Sequence, residues 1–285
     1  MALQTYHDLT ISDLLNGDLQ LATLPSIYLE LVKVIDDPRK SALDAARVID
    51  KDPSLTLKLL KLVNSAFYGF PARIASIDRA ITLVGNRDLL NLTLSTVLID
   101  KFSSLPGSLI CMHDYWSRSL RCALLSKEIS MLIDTPKKLD TDSVFICGLL
   151  HDIGQLVFFR RIPELAREIN MIIDDNCSNE VEVELSILGF THFETGAGLA
   201  RLWNLPEVIQ QSILQHTNPA YDGEFKSVAT ITRAANHICK MHPDHSFHSL
   251  AGLGLSEDKV DRALNKMLDE FEAIFQVFFP SSAAA

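Results

Sequence analysis

The chain has 285 residues, a net charge of −10, 47% hydrophobic residues and 22% charged ones. That length builds one large domain or two modest ones, with a core that needs no disulfide or metal staple. The acidic balance excludes a general attraction to phosphate backbones, so bulk nucleic-acid binding is not expected, and no Lys/Arg run marks a local exception.

Gly (12) and Pro (11) are sparse, which favours long helices over many short strands. The cysteines at 111, 122, 147, 177 and 239 form no C-x-x-C pair. They read as buried free thiols in a reducing compartment. Residues 1–10 lack a basic stretch followed by an apolar one, and no apolar run approaches the length of a membrane span. A cytoplasmic location is expected.

Apolar residues recur mostly three and four apart, the helical period. Leu29, Val32 and Ile35 continue one face after Pro25. Ser41 and Asp44 have capping-box spacing ahead of Ala45, Val48 and Ile49. Asp52-Pro53 opens a helix carrying Leu55, Leu59, Leu60, Leu62 and Val63, with Pro in its first turn. Ser76 caps a helix from Ile77 to Val84, Gly85 stops it, and Asn86 starts another through about Lys101. Leu105-Pro106-Gly107-Ser108 is the best internal boundary, too short to separate independent domains. A helix from about Ser108 to Ile133 follows, then one capped by Thr141 or Asp142 that runs into G-L-L-H-D-I-G, residues 148–154. Pro163 starts a helix. Glu180 to Leu188 forms the next, and Thr191-His192-Phe193-Glu194 is a capping box opening a helix to Trp203. Further helices run from Pro206 to His216, Lys226 to Met241 and Ser256 to Phe279. No segment demands a sheet, so the class is all-α.

Several stretches together resemble the HDOD family, a branch of the HD metal-dependent phosphohydrolase superfamily. In the first half these are Leu24-Pro25, the run Ile49 to Thr56, Leu59 to Tyr68 and Ile77 to Gly85. In the second they are Trp116-Ser117-Arg118-Ser119, Gly148 to Gly154, His192 to Ala197, Trp203-Asn204-Leu205-Pro206 and Gln215-His216. The resemblance covers roughly residues 20 to 240. It implies two packed helical lobes, about 20–105 and an HD-like bundle at about 106–240. Residues 1–19 are then an N-terminal extension and 241–285 a C-terminal helical one. It also implies a regulatory role in bacterial signalling, often proposed to be non-catalytic. No receiver, GGDEF or EAL segment accompanies these motifs, so input and output are expected from partner signalling proteins.

The superfamily's metal ligands are an early His, the His-Asp doublet, later His residues and a final Asp. Carried over, His151 and Asp152 match the doublet, and His192 and His216 match later histidines. Arg118 stands where the early His belongs and Asn236 where the final Asp belongs. Hydrolysis needs divalent ions that acidify water and neutralise phosphate charge. A guanidinium stays protonated, offers no lone pair and repels a cation. Arg118 is therefore expected to pair with Asp152 in place of a metal, leaving an incomplete ligand set at which a divalent ion is possible but no cofactor is expected.

Plainer readings stand beside this. His151-Asp152 is also an ordinary helix C-terminus, with Gly154 permitting a turn. His192 sits in a first turn, and Glu194 is a capping partner rather than a ligand. Asn64 and Ser65, in a family signature, are expected to bond backbone groups. A His237-Cys239-His242-His245-His248 cluster has zinc-type ligands but reads better as a solvated loop. The aromatic C-terminal helix is expected in the core, with a partner-binding patch at its last turn as the alternative. The leading function is a non-catalytic HDOD signalling protein. The alternatives are a metal-dependent phosphohydrolase acting on a nucleotide or cyclic dinucleotide, and a sensor of a nucleotide or small anion that does not hydrolyse it. The oligomeric state stays open.

Overall fold

Every regular segment among the described residues is helical, and none is a strand. The computed structural model describes residues 8–18, 21, 23–103, 105, 110–133, 139–176, 179–240 and 253–280. The first half holds α1 (Ile11–Leu15), α2 (Ser26–Ile35), α3 (Ala42–Ile49), α4 (Pro53–Val63), α5 (Ile77–Val84) and α6 (Asn86–Phe102). The second holds α7 (Met112–Leu132), α8 (Thr141–Leu150), α9 (Ile153–Arg161), α10 (Pro163–Asn176), α11 (Glu180–Leu188), α12 (His192–Leu202), α13 (Glu207–Gln215) and α14 (Lys226–Lys240). The last helix is α15 (Glu257–Phe278).

The helix starts follow from side chains that satisfy the otherwise orphaned first-turn N–H groups. Ser41 and Asp44 form the reciprocal box at α3, and Thr191 and Glu194 form it at α12. Asp52 accepts from the N–H groups of Ser54 and Leu55 at 2.9 and 3.1 Å, with Pro53 as the first residue of α4. Three expectations need correction. Helix α8 is capped by Asp140, which accepts from the Asp142 N–H, while Thr141 is already helical. Helix α7 begins at Met112, and residues 106–109 of the expected boundary lie outside the described residues. Cys122 and Cys147 are buried, but Cys111 just ahead of α7 is exposed and Cys239 is half-buried; Cys177 lies outside the described residues. The N-terminal region also contributes a helix that the periodicity does not reveal. Thr10 and Asp13 form a capping box for α1, and Leu14 and Leu15 are buried.

The segment Thr141–Arg161 is apolar enough to match a membrane span by composition, contrary to expectation. It is two helices joined at His151-Asp152, and 83% of its most apolar 18-residue stretch is buried inside the protein, so its apolarity is that of a core element. The buried apolar side chains form one continuous cluster running from Leu14 in α1 to Phe275 in α15. Trp203 ties the halves together by donating from Nε1 to the Leu21 carbonyl at 2.9 Å. Asn64 bonds backbone as expected, donating to the Leu60 and Ile74 carbonyls and accepting from the Ile74 N–H. Phe271, Ile274 and Phe275 of α15 are buried against the bundle.

Two glycines set how the helices around the His-Asp doublet approach one another. A Cβ on Gly148 would lie 2.7 Å from Ala123 Cα and 2.8 Å from the Cys122 carbonyl oxygen, so α8 rests on the backbone of α7. A Cβ on Gly154 would lie 1.8 Å from the His192 carbonyl oxygen, so the start of α9 touches the first residue of α12. Both positions call for glycine because only a missing side chain permits such contact. Gly154 therefore serves helix approach rather than a turn.

Candidate functional site

The close approach of α7, α8, α9 and α12 places five of the sequence-identified residues together. His151 follows the last turn of α8, and Asp152 bridges to α9. His192 opens α12 and His216 follows α13. All four residues are fully buried. Arg118, on α7, reaches in from the surface with its side chain 33% exposed. Asn236 on α14 is buried, but it shares none of the polar or ring contacts among the other five, and its Oδ1 has no partner among the described residues.

Asp152 is the centre. Arg118 Nη2 donates to its Oδ2 at 3.4 Å and also to Gln155 Oε1 at 3.4 Å. His151 Nε2 lies 3.2 Å from the same Oδ2, and His192 Nε2 lies 3.6 Å from Oδ1. Each imidazole is oriented through its other nitrogen. His151 Nδ1 donates to the Gly148 carbonyl at 2.7 Å, and His216 Nδ1 to the Ile213 carbonyl at 3.0 Å. His192 Nδ1 donates to Glu184 Oε1 at 2.6 Å, while Glu184 Oε2 accepts the His192 backbone N–H at 2.8 Å. The His151 and His216 rings meet edge to face at 5.4 Å.

The electrostatics follow from this packing. Burial disfavours charge on both His151 and His192. Asp152 overrides it for His151, raising its pKa to about 10, and Glu184 together with Asp152 raises His192 to about 9. Burial and the neighbouring charge of His151 push His216 down to about 3, so it is neutral. Burial alone would raise Asp152, but His151 and Lys240 hold it well below the usual carboxylate range. Asp152 thus lies against two imidazoles whose protonated forms it favours and against the Arg118 guanidinium, with Glu184 behind His192.

Whether a metal suits these residues is a matter of donor type and charge. For a metal speak the Nε2 atoms of His151, His192 and His216 and Asp152 Oδ1, all buried without a hydrogen-bond partner. Imidazoles fixed through Nδ1, as here, are oriented as metal-bound histidines are. Against it speaks charge. A divalent ion needs anionic ligands, and the one carboxylate at the centre is already met by Arg118, His151 and His192. Among the described residues no three His, Cys, Asp or Glu side chains assemble a metal cluster. The residues do not fit a hydrolytic metal centre. His242, His245 and His248 of the second cluster lie outside the described residues, so that cluster stays an expectation only.

Sequence reasoning overlooked three members of the site. Glu184 sits in the Val-Glu alternation of α11, where nothing distinguishes it from its exposed neighbours, yet it is 3% exposed. Gln155 and Lys240 have no motif. Gln155 is found only because it follows Asp152 by three residues on the same helical turn.

The HDOD domain matches residues 21–219. The chain belongs to the HDOD domain family. An uncharacterized protein of Treponema pallidum (strain Nichols) is 31% identical over 214 residues; these are 75% of this chain and 41% of that relative's length. Among solved structures, an HDOD domain protein of unknown function from Geobacter sulfurreducens is 23% identical with a TM-score of 0.74, covering 90% of this chain and 93% of its own. A protein of Shewanella amazonensis SB2B, provisionally described as a phosphohydrolase, is 22% identical with a TM-score of 0.77, covering 94% and 98%. One from Marinobacter aquaeolei VT8, provisionally described as a signal transduction protein, is 19% identical with a TM-score of 0.73, covering 98% of this chain and 62% of its own. These likenesses establish the helical HDOD fold.

Proposed function

We propose that this chain is a non-catalytic HDOD regulatory protein that works in signal transduction through contacts with signalling proteins. The observation that carries the reading is the Arg118 guanidinium 3.4 Å from Asp152. It supplies a fixed positive charge where a hydrolase needs a divalent ion, and it offers no lone pair and no acidified water. The doublet and its histidines then act as a buried polar brace holding α8, α9 and α12 in register. The Marinobacter aquaeolei relative's description as a signal transduction protein supports the regulatory role.

The test pairs turnover with partnership. Purified protein is incubated with bis(p-nitrophenyl) phosphate, nucleoside phosphates and a cyclic dinucleotide in the presence of Mg2+, Mn2+ or Zn2+. The expected result is no release above buffer, with proximity labelling in cells returning a reproducible set of signalling proteins. Robust hydrolysis abolished by Asp152→Ala, with no specific partner, overturns the reading. One observation favours a second reading, a metal-dependent phosphohydrolase: the unpartnered Nε2 atoms beside Asp152 Oδ1. That reading, supported by the Shewanella relative's description, predicts stoichiometric metal and turnover lost in His151→Ala.

A further inference from the structure

Outward of Arg118 lies a cavity of about 580 Å3 that none of the buried histidines lines. Arg118 and Arg121 of α7 and Lys240 at the end of α14 face it, together with the amides of Gln155 and Asn170. Among the described residues the one carboxylate on its wall is Asp114, 79% exposed and turned toward His113 at 3.5 Å. In a chain of net charge −10 this is a local reversal of sign. The cations are positioned rather than loose. Arg121 stacks over the Phe271 ring at 4.4 Å, and Lys240 is anchored to Glu180 at 3.0 and 3.2 Å. The Arg118 side chain is 33% exposed, so a polyvalent anion in the cavity meets charge-assisted guanidinium donors there.

We propose that this cavity binds a nucleoside monophosphate, with its phosphate held between Arg118, Arg121 and Lys240. Three cations lining one cavity suit a dianionic phosphomonoester. The volume falls within the roughly 300–1,000 Å3 typical of small-molecule sites and exceeds what inorganic phosphate alone fills. Ile110 and Tyr115 give the cavity an apolar wall for a base, and the Gln155 and Asn170 amides offer donor and acceptor pairs to its edge. That the bound nucleotide is released unchanged rests on the non-catalytic reading above, whereas the binding site itself does not.

The test is calorimetric titration of the full chain with AMP and GMP, with inorganic phosphate and adenosine as comparisons. One of the two nucleotides is expected to bind at a single site, phosphate more weakly, and adenosine not at all. Lys240→Ala and Arg121→Gln should each weaken binding about tenfold to a hundredfold, the loss of one charge-assisted contact. Circular dichroism melts establish that both variants fold. As an independent readout, the bound nucleotide should slow alkylation of Cys111, which lines the cavity and is exposed. That protection should vanish in Lys240→Ala. No heat and no protection with either nucleotide overturns the proposal, as does binding of equal strength in both variants or binding of phosphate alone. Chromatography of the titrated nucleotide separates the two claims. Conversion to nucleoside contradicts the non-catalytic reading and leaves the site standing, whereas absence of binding removes the site and leaves the regulatory reading intact.

Discussion

Gly154→Ala should be among the most damaging single-methyl substitutions in the protein. The added Cβ would sit 1.8 Å from the His192 carbonyl oxygen, 2.7 Å from the His192 carbonyl carbon and 2.9 Å from the Gly196 nitrogen. All three are backbone atoms, so no side chain can swing aside. Ordinary contact begins near 3.4 Å, and α9 and α12 must therefore part by about 1.5 Å. Overpacking a core costs about 1–3 kcal/mol and occasionally more. A backbone clash of this depth belongs at the upper end, about 3 kcal/mol, which lowers Tm by roughly 6 °C or more for a chain of this size. Gly196→Ala is the control on the same interface. Its Cβ would meet the Gly154 nitrogen at 3.1 Å and the side chains of Ile213 and Ile153 at 3.1 and 3.2 Å, a strain of about 1 kcal/mol. Scanning calorimetry of the two variants gives the comparison. Parting the helices also withdraws His192 from Asp152, so the His192 pKa, read by NMR titration, should fall in Gly154→Ala. A Gly154→Ala protein as stable as Gly196→Ala, with His192 unshifted, would refute the close-approach account of the site.

Other outcomes follow from the same geometry. Glu184→Ala removes one partner of a buried charged contact and should cost about 3–5 kcal/mol by urea unfolding, with Glu184→Gln milder and the His192 pKa lowered in both. Because His151 and His192 titrate near 10 and 9, above the unfolded value of about 6.5, their stabilisation is fully present below pH 6.5. It is lost progressively as pH rises from about 6.5 through the folded values, so the urea midpoint should decline between about pH 6.5 and 10, and Asp152→Asn should flatten the decline. Arg118→Ala breaks a partly exposed contact at 3.4 Å and should change stability by only about 1 kcal/mol, without creating hydrolysis, as a calorimetric melt and a phosphatase assay would show. Burial, together with the nearby Glu128, raises Glu270 to about 7 against the pull of Lys266. Its neutral form is favoured in the fold, so stability is fullest below pH 4.5 and falls toward pH 7; Glu270→Gln should stabilise the protein at pH 8 and be close to neutral at pH 4.

Much of the fold is legible in the sequence because helix starts are local chemistry. Ser41-x-x-Asp44, Asp52-Pro53 and Thr191-x-x-Glu194 each satisfy orphan N–H groups within one turn, and the structure uses all three. Helix α1 escapes because it is five residues long, too short for a period to register, although Thr10-x-x-Asp13 is the same signal. The Gly148 and Gly154 contacts escape because they are tertiary: nothing in the local sequence says which helix will press against a glycine. Of the site, His151, Asp152, His192 and His216 are visible through the order of family motifs, and Arg118 through its place in Trp116-x-x-Ser119. Glu184 is hidden, since a buried glutamate beside a histidine eight residues away looks like any glutamate on a helix. Asn236, placed by position on a helix with no other marker, is the residue the structure joins least to the rest.

The central claim is that Arg118 and the imidazoliums, rather than a metal, neutralise Asp152. The most direct test is elemental analysis of the purified chain after equilibration with Mn2+, Fe2+ and Zn2+ and removal of free ions. The account predicts content well below one ion per chain, unchanged in Asp152→Ala. One tightly held ion per chain that disappears in Asp152→Ala would contradict it.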